Sequence, residues 1–98
     1  MAMLTISDPA RSGRQPGERL AAPAGATVGR EPGNTLVLRE DTISARHAVF
    51  RHERGRWLLE DLDSTNGTWV NGQPLHGTVR LSKGDEVRFG HVALRFEG

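Results

Sequence analysis

The stretch DSTNGTWVNG, Asp63 to Gly72, decides how the chain is read. It holds two Asn-Gly pairs five residues apart, with only Thr68, Trp69 and Val70 between them. Asn-Gly is a strong local signal for a tight hairpin, because both residues tolerate positive φ. One such pair is an ordinary turn. The first pair, however, follows Ser64 and Thr65, whose hydroxyls can donate hydrogen bonds. A turn needs no such loading, so the first pair calls for a second explanation.

Working outward, the same punctuation covers the chain. Twelve Gly and five Pro separate short apolar runs. These are LTIS at 4–7, RLAA at 19–22, ATVGR at 26–30, TLVL at 35–38, HAVFRH at 47–52, RWLLEDL at 56–62, TWV at 68–70, TVRL at 78–81, EVRF at 86–89 and VALRF at 92–96. Several alternate with the period of two that a half-buried strand requires. Val87 and Phe89 oppose Glu86 and Arg88, while Val92, Leu94 and Phe96 share a face. Turn signals at Pro32-Gly33, Arg54-Gly55, Asn66-Gly67, Asn71-Gly72, Lys83-Gly84 and Phe89-Gly90 divide them. Many short strands with little room for helix predict an all-β sandwich or barrel. Asn34 to Arg54 lacks Gly and Pro, and Ile43, His47 and Phe50 sit there at helical spacing. Its Thr, Val and Ile content favours strand–loop–strand instead. Asp8 to Gly17 reads as a long hairpin loop.

At 98 residues the chain is expected to be one domain, 1–98, with a small core of Val, Leu, Ile, Trp57, Trp69 and the three Phe. It has no Cys, which excludes disulfides and thiolate metal sites. The formal net charge of +1 is far from the excess of a non-specific nucleic-acid binder. Neither a signal peptide nor a run near the roughly 18 apolar residues of a membrane span appears, so the expectation is a cytoplasmic module with no nucleic-acid or membrane partner. His47, His52, His76 and His91 lack metal-ligand spacing, and no metal or cofactor is expected. Gly25 to Arg30 does not end in the lysine and hydroxyl residue of a nucleotide-binding P-loop. Ser44 and His47 have no nucleophile-elbow glycines around them, so the chain is not expected to be an enzyme.

Four elements remain: Gly29-Arg30; Asn34; Ser44-Ala45-Arg46-His47; and Ser64 to Thr68, closed by Val70-Asn71-Gly72. Each falls where a strand should meet a loop, and in sandwiches loops gather at the two ends. Together they offer an anion receptor. Arg30 presents a planar fork of donors and keeps its charge. The Ser44 and Thr65 hydroxyls donate, and the Asn66 amide both donates and accepts. A phosphoryl group, with charge near −2 and three acceptor oxygens, is the natural complement. Each charge-assisted hydrogen bond contributes roughly 1.5–3 kcal/mol net, so two or three suffice without a deep cavity.

In this order and spacing, GRxxxN, SxxH and SxNGTxVNG resemble the forkhead-associated (FHA) domain, with a motif core at residues 28–72. The resemblance implies an antiparallel β-sandwich of about eleven short strands with little or no helix. It implies a phosphothreonine-binding module in signalling downstream of Ser/Thr kinases, whose partner is a threonine-phosphorylated protein or peptide. By position, Arg30 and Ser44 resemble the phosphate-binding pair. Thr65 resembles the loop residue that helps hold the phosphothreonine, and Asn66 the one that pairs with ligand main chain. Gly29, His47, Gly67 and Asn71 resemble structural supports: close backbone approach, loop bracing, a freed loop backbone and a hairpin turn. Ala45 departs from the family, where Arg, Lys or Asn is frequent. It offers only a backbone N–H, leaving Arg46 and Arg39 as candidate auxiliaries, and an arginine at 45 is expected to strengthen phosphopeptide binding. The alternative is a phosphate-independent assembly module on the same fold.

Overall fold

The computed structural model describes residues 1–98 as eleven strands and no helix. They are β1 (Ala2–Asp8), β2 (Arg19–Ala22), β3 (Thr27–Gly29), β4 (Leu36–Val37), β5 (Ala48–Glu53), β6 (Arg56–Asp61), β7 (Thr68–Val70), β8 (Gln73–Pro74), β9 (Thr78–Arg80), β10 (Glu86–Phe89) and β11 (Val92–Phe96). Two sheets form the sandwich, ordered β2-β1-β11-β10-β7-β8 and β4-β3-β5-β6-β9. The segment with helical spacing, Asn34 to Arg54, is strand, loop and strand. Asp8 to Gly17 lies largely in the connection between the antiparallel strands β1 and β2.

Alternation sets which side chains enter the core. Leu4 and Ile6 of β1, Val87 and Phe89 of β10, and Val92, Leu94 and Phe96 of β11 are all buried. They meet Val28, Phe50 and Leu59 of the second sheet, with the Phe50 and Phe89 rings edge-on at 6.3 Å. Each fully buried large side chain stabilises the fold by roughly 1.5–3 kcal/mol. Trp57 packs against this core only partly buried. Trp69 does not join it. It alternates with Thr68 and Val70, which face inward, and its ring instead covers Gly67.

The sheets depart from pure antiparallel order at one place. β4 runs parallel to β3, pairing Val28 with Leu36 and Gly29 with Val37. Parallel neighbours ordinarily need a crossover of a dozen or more residues. Here the ladder is two residues long and the return is a tight loop, closed where Asn34 N donates to Glu31 O. That loop begins at Arg30, so the exception to the regular order lies beside the candidate site. No helix of the structure is long and apolar enough to cross a membrane.

Candidate functional site

Four connections converge at one end of the sandwich: β3–β4, β4–β5, β6–β7 and β10–β11. They are stitched by hydrogen bonds rather than by sheet ladders. Arg30 N donates to Ser44 O at 3.0 Å, which sets the first two side by side. Thr65 N donates to Ser44 Oγ at 3.0 Å, which adds the third. Gly90 N donates to Gly67 O at 3.2 Å, which adds the fourth.

Between them lies a cleft of about 130 Å³ lined by Arg30, Asp41, Ile43, Ser44, Thr65 and Asn66. The structure thus brings together all four residues singled out as phosphate and peptide contacts. Because Ser44 Oγ accepts from Thr65 N, its own proton is free to donate elsewhere. Asn66 Nδ2 donates to Thr42 O at 2.9 Å, which fixes the amide and leaves its oxygen as an acceptor. Ala45, Arg46 and Arg39 do not line this cleft. Arg46 is exposed in the bend after Ser44. Arg39 lines a separate, larger groove with Arg14, Glu18 and Pro32. Arg14 is occupied there, donating to Glu18 and to Val37 O.

His47 holds the arrangement from beneath. It is fully buried, its ring edge-on to Phe89 at 5.6 Å. Its Nδ1 accepts from Ser44 N at 3.1 Å, so the proton sits on Nε2, which donates to Gly67 O at 2.8 Å. One imidazole therefore ties the serine loop to the Asn-Gly loop. Burial pushes its pKa below the ordinary value, against the opposing pull of the Gly67 carbonyl and Asp61. The neutral ring is the form that can accept at one nitrogen and donate at the other. This geometry also places no base at the Ser44 hydroxyl, so the two residues do not form a nucleophile–base pair.

Asp61 organises the loop that carries Thr65. Its carboxylate accepts from Ser64 N, Ser64 Oγ and Thr68 Oγ1 at 3.1, 2.6 and 2.7 Å. Burial works against its charge, yet the bonds from Ser64 and Thr68 prevail and hold its pKa below the usual value. Ser64 Oγ in turn accepts from Gly67 N at 3.1 Å. Ser64, quoted in the motif, thus shapes the loop instead of lining the cleft.

Gly29 and Asn34 complete the support. A Cβ on Gly29 would overlap the Ala45 carbonyl and come 2.5 Å from Asn34 Nδ2, so no larger residue fits. Asn34 Nδ2 donates to Ala45 O at 2.6 Å and to Glu31 O at 2.9 Å, joining the first two loops. Asn71, by contrast, turns the chain from β7 into β8 away from the cleft. Two lining residues escaped the sequence reading. Ile43 is a buried core residue that borders the cleft. Asp41 carried no motif to mark it.

Comparison with known proteins gives a consistent result. The model of the FHA domain family matches residues 26–90. The oxoglutarate dehydrogenase inhibitor of Corynebacterium diphtheriae is 44% identical over 70 residues, covering 71% of this chain and 48% of that protein. The chain therefore matches about half the length of this relative. Among solved structures, the FhaA FHA domain complexed with the intracellular domain of Rv3910 superposes with a TM-score of 0.83 at 30% identity, covering 99% of this chain and 100% of that one. A domain from a structural and functional analysis of phosphothreonine-dependent FHA domain interactions superposes with a TM-score of 0.80 at 32% identity, covering 99% and 95%.

Proposed function

Because the chain belongs to the FHA domain family, we propose that residues 1–98 act as one recognition module that docks onto threonine-phosphorylated segments of partner proteins. The observation that carries this reading is the shared cleft. Arg30, Ser44 and the adjacent Thr65 and Asn66, from three separate stretches of the chain, line one small concavity. Arg30 supplies the charged fork for the phosphoryl oxygens, and the Ser44 hydroxyl donates beside it. Thr65 closes the pocket from the facing loop. The Asn66 amide pairs with the main chain of the ligand. An apolar niche for the threonine methyl, worth about one buried CH₂, roughly 0.8 kcal/mol, favours threonine over serine.

The module is non-catalytic and works by placement. It brings whatever it is attached to beside the product of a cytoplasmic Ser/Thr kinase. The one relative named above as an inhibitor fits a regulator that acts by binding. A peptide-sized interface gives modest, salt-sensitive affinity.

Titration of an oriented library of phosphothreonine, phosphoserine and unphosphorylated peptides tests the reading, with Arg30→Ala as the decisive variant. Arg30 is exposed, so its removal leaves the fold intact. Phosphothreonine binding should weaken by at least about 10-fold, the loss of one or two charge-assisted bonds. Equal binding of phosphorylated and unphosphorylated peptides, or full binding by Arg30→Ala, would instead establish a phosphate-independent assembly surface.

A further inference from the structure

From Leu38 to Ile43 the chain carries the sequence Leu-Arg-Glu-Asp-Thr-Ile, with Arg39 and Asp41 exposed and Leu38, Glu40 and Ile43 buried. Ile43 N donates to Glu40 O at 3.0 Å, so Asp41 and Thr42 are the corner residues of a β-turn. Glu40 points inward at 6% exposure and accepts from Thr42 N and Thr42 Oγ1 at 2.8 and 2.5 Å. Thr42 is held in turn by its neighbours. Its Oγ1 accepts from His91 N, and its carbonyl from Asn66 Nδ2, both at 2.9 Å. Gly90 lies flush against it: a Cβ there would come 2.9 Å from Thr42 Cβ. The turn is therefore fixed from inside and from two adjacent loops.

The corner so fixed is Asp41, and it lines the same cleft as Arg30, Ser44, Thr65 and Asn66. Its carboxylate takes part in none of the ion pairs of the chain. Only two ionisable side chains line the cleft, and their charges are opposite. A receptor built solely for a dianion would have no use for a carboxylate at its rim. A phosphoryl group seated on Arg30 meets repulsion from Asp41 unless the ligand brings a compensating positive charge. Because the turn is rigid, that charge must arrive at a defined place, with little of the entropy loss that discounts flexible surface pairs.

We propose that Asp41 makes this cleft selective for phosphothreonine segments that carry a lysine or arginine beside the phosphorylated residue, and biases it against acidic segments. The inference rests on the phosphothreonine reading above. It names the class of ligand that the same site accepts. Exposed ion pairs are worth little, so the selectivity is moderate, about 5-fold between a basic and an acidic neighbour.

The test uses phosphothreonine peptides identical except for Lys, Gln or Glu at each position within two residues of the phosphothreonine, titrated by fluorescence polarisation. At one or more of these positions the lysine peptide should bind about 5-fold tighter than the glutamate peptide. Asp41→Asn should shrink that ratio below about 2-fold, mainly by tightening the glutamate peptide. Glu53→Gln makes the same charge change at the opposite end of β5 from His47, and should leave the ratio as it is. Uniform binding of all peptides by the wild type, or a lysine preference that survives in Asp41→Asn, would overturn the assignment to Asp41 and leave the phosphothreonine reading standing. If no phosphopeptide binds at all, the phosphothreonine reading itself fails, and the inference with it.

Discussion

Asn66-Gly67 and Asn71-Gly72 are the same dipeptide, yet they fold differently. At the second, both residues have positive φ, 51° at Asn71 and 79° at Gly72, as a type I′ hairpin requires. Nothing lies within 4 Å of the place a Gly72 Cβ would occupy. At the first, only the glycine has positive φ, 94° at Gly67. Its carbonyl accepts from both His47 Nε2 and Gly90 N, and the Trp69 ring lies 3.1 Å from where a Cβ would be. One turn is set by local backbone preference. The other is set by tertiary partners and spends its backbone holding loops together. A dipeptide signal reports that the chain can turn; what surrounds it decides what the turn is for.

The difference can be attacked first through His47, where the largest effect is expected. His47→Ala removes two hydrogen bonds and opens a cavity beneath the first turn, at a cost of about 3–4 kcal/mol. The wild type alone gives a milder version. Since the folded pKa of His47 lies below its ordinary value, the unfolded chain takes up this proton first as pH falls. Its contribution is complete above about pH 6.5 and is lost as pH drops toward the folded value. A protonated Nδ1 would face the Ser44 N–H, donor against donor. Urea midpoints measured without ligand should therefore decline below about pH 6.5, and His47→Gln should flatten that slope. An unchanged slope in His47→Gln would show that the ring does not tie the two loops together.

A smaller effect separates the two glycines directly. Gly72→Ala meets open space and pays only the backbone strain of positive φ, about 1 kcal/mol. Gly67→Ala pays that strain and must also displace the Trp69 ring, about 2 kcal/mol in all. Only Gly67→Ala should also weaken phosphopeptide binding, because Thr65 and Asn66 precede it in the cleft wall. Equal stability losses by denaturant titration, with binding intact in both, would make the two turns equivalent.

Much of this was legible in the sequence, for reasons that differ by element. TWV, EVRF and VALRF become β7, β10 and β11 with no change of boundary, because alternation and flanking Gly or Asn speak for themselves. The loop convergence of Arg30, Ser44, Thr65 and Asn66 came from motif order rather than from periodicity. What stayed hidden depends on partners distant in sequence. Gln73–Pro74 is too short to show alternation, and it pairs because the hairpin at Asn71-Gly72 returns it onto Trp69 and Val70. The parallel step of β4 is set by Asn34 and the Arg30 loop. Asp41 looks like any exposed turn residue until Thr42 is seen pinned by Asn66 and His91. Trp69 leaves the core because the face it occupies is decided by Thr68 and Val70, whose burial no local rule fixes.

The smallest expected effect is also the cleanest division, because it compares the two asparagines by readout rather than by size. Asn71 sits at positive φ, donates from Nδ2 to Asp85 Oδ1 at 3.0 Å and accepts from Glu86 N at 2.9 Å. Alanine there loses both bonds and a residue type suited to the conformation, about 1 kcal/mol of stability with no change in phosphopeptide affinity. Asn66 is exposed, has no positive φ, and makes one bond within the chain, to Thr42 O. Alanine there should cost no more than about 0.5 kcal/mol of stability yet weaken phosphopeptide binding by about 10-fold, through loss of the ligand main-chain contact. The two variants thus exchange effects: one is seen by denaturant and not by peptide, the other by peptide and barely by denaturant. Identical residues, each followed by glycine, can exchange effects only if the first pair belongs to the binding surface and the second to the scaffold.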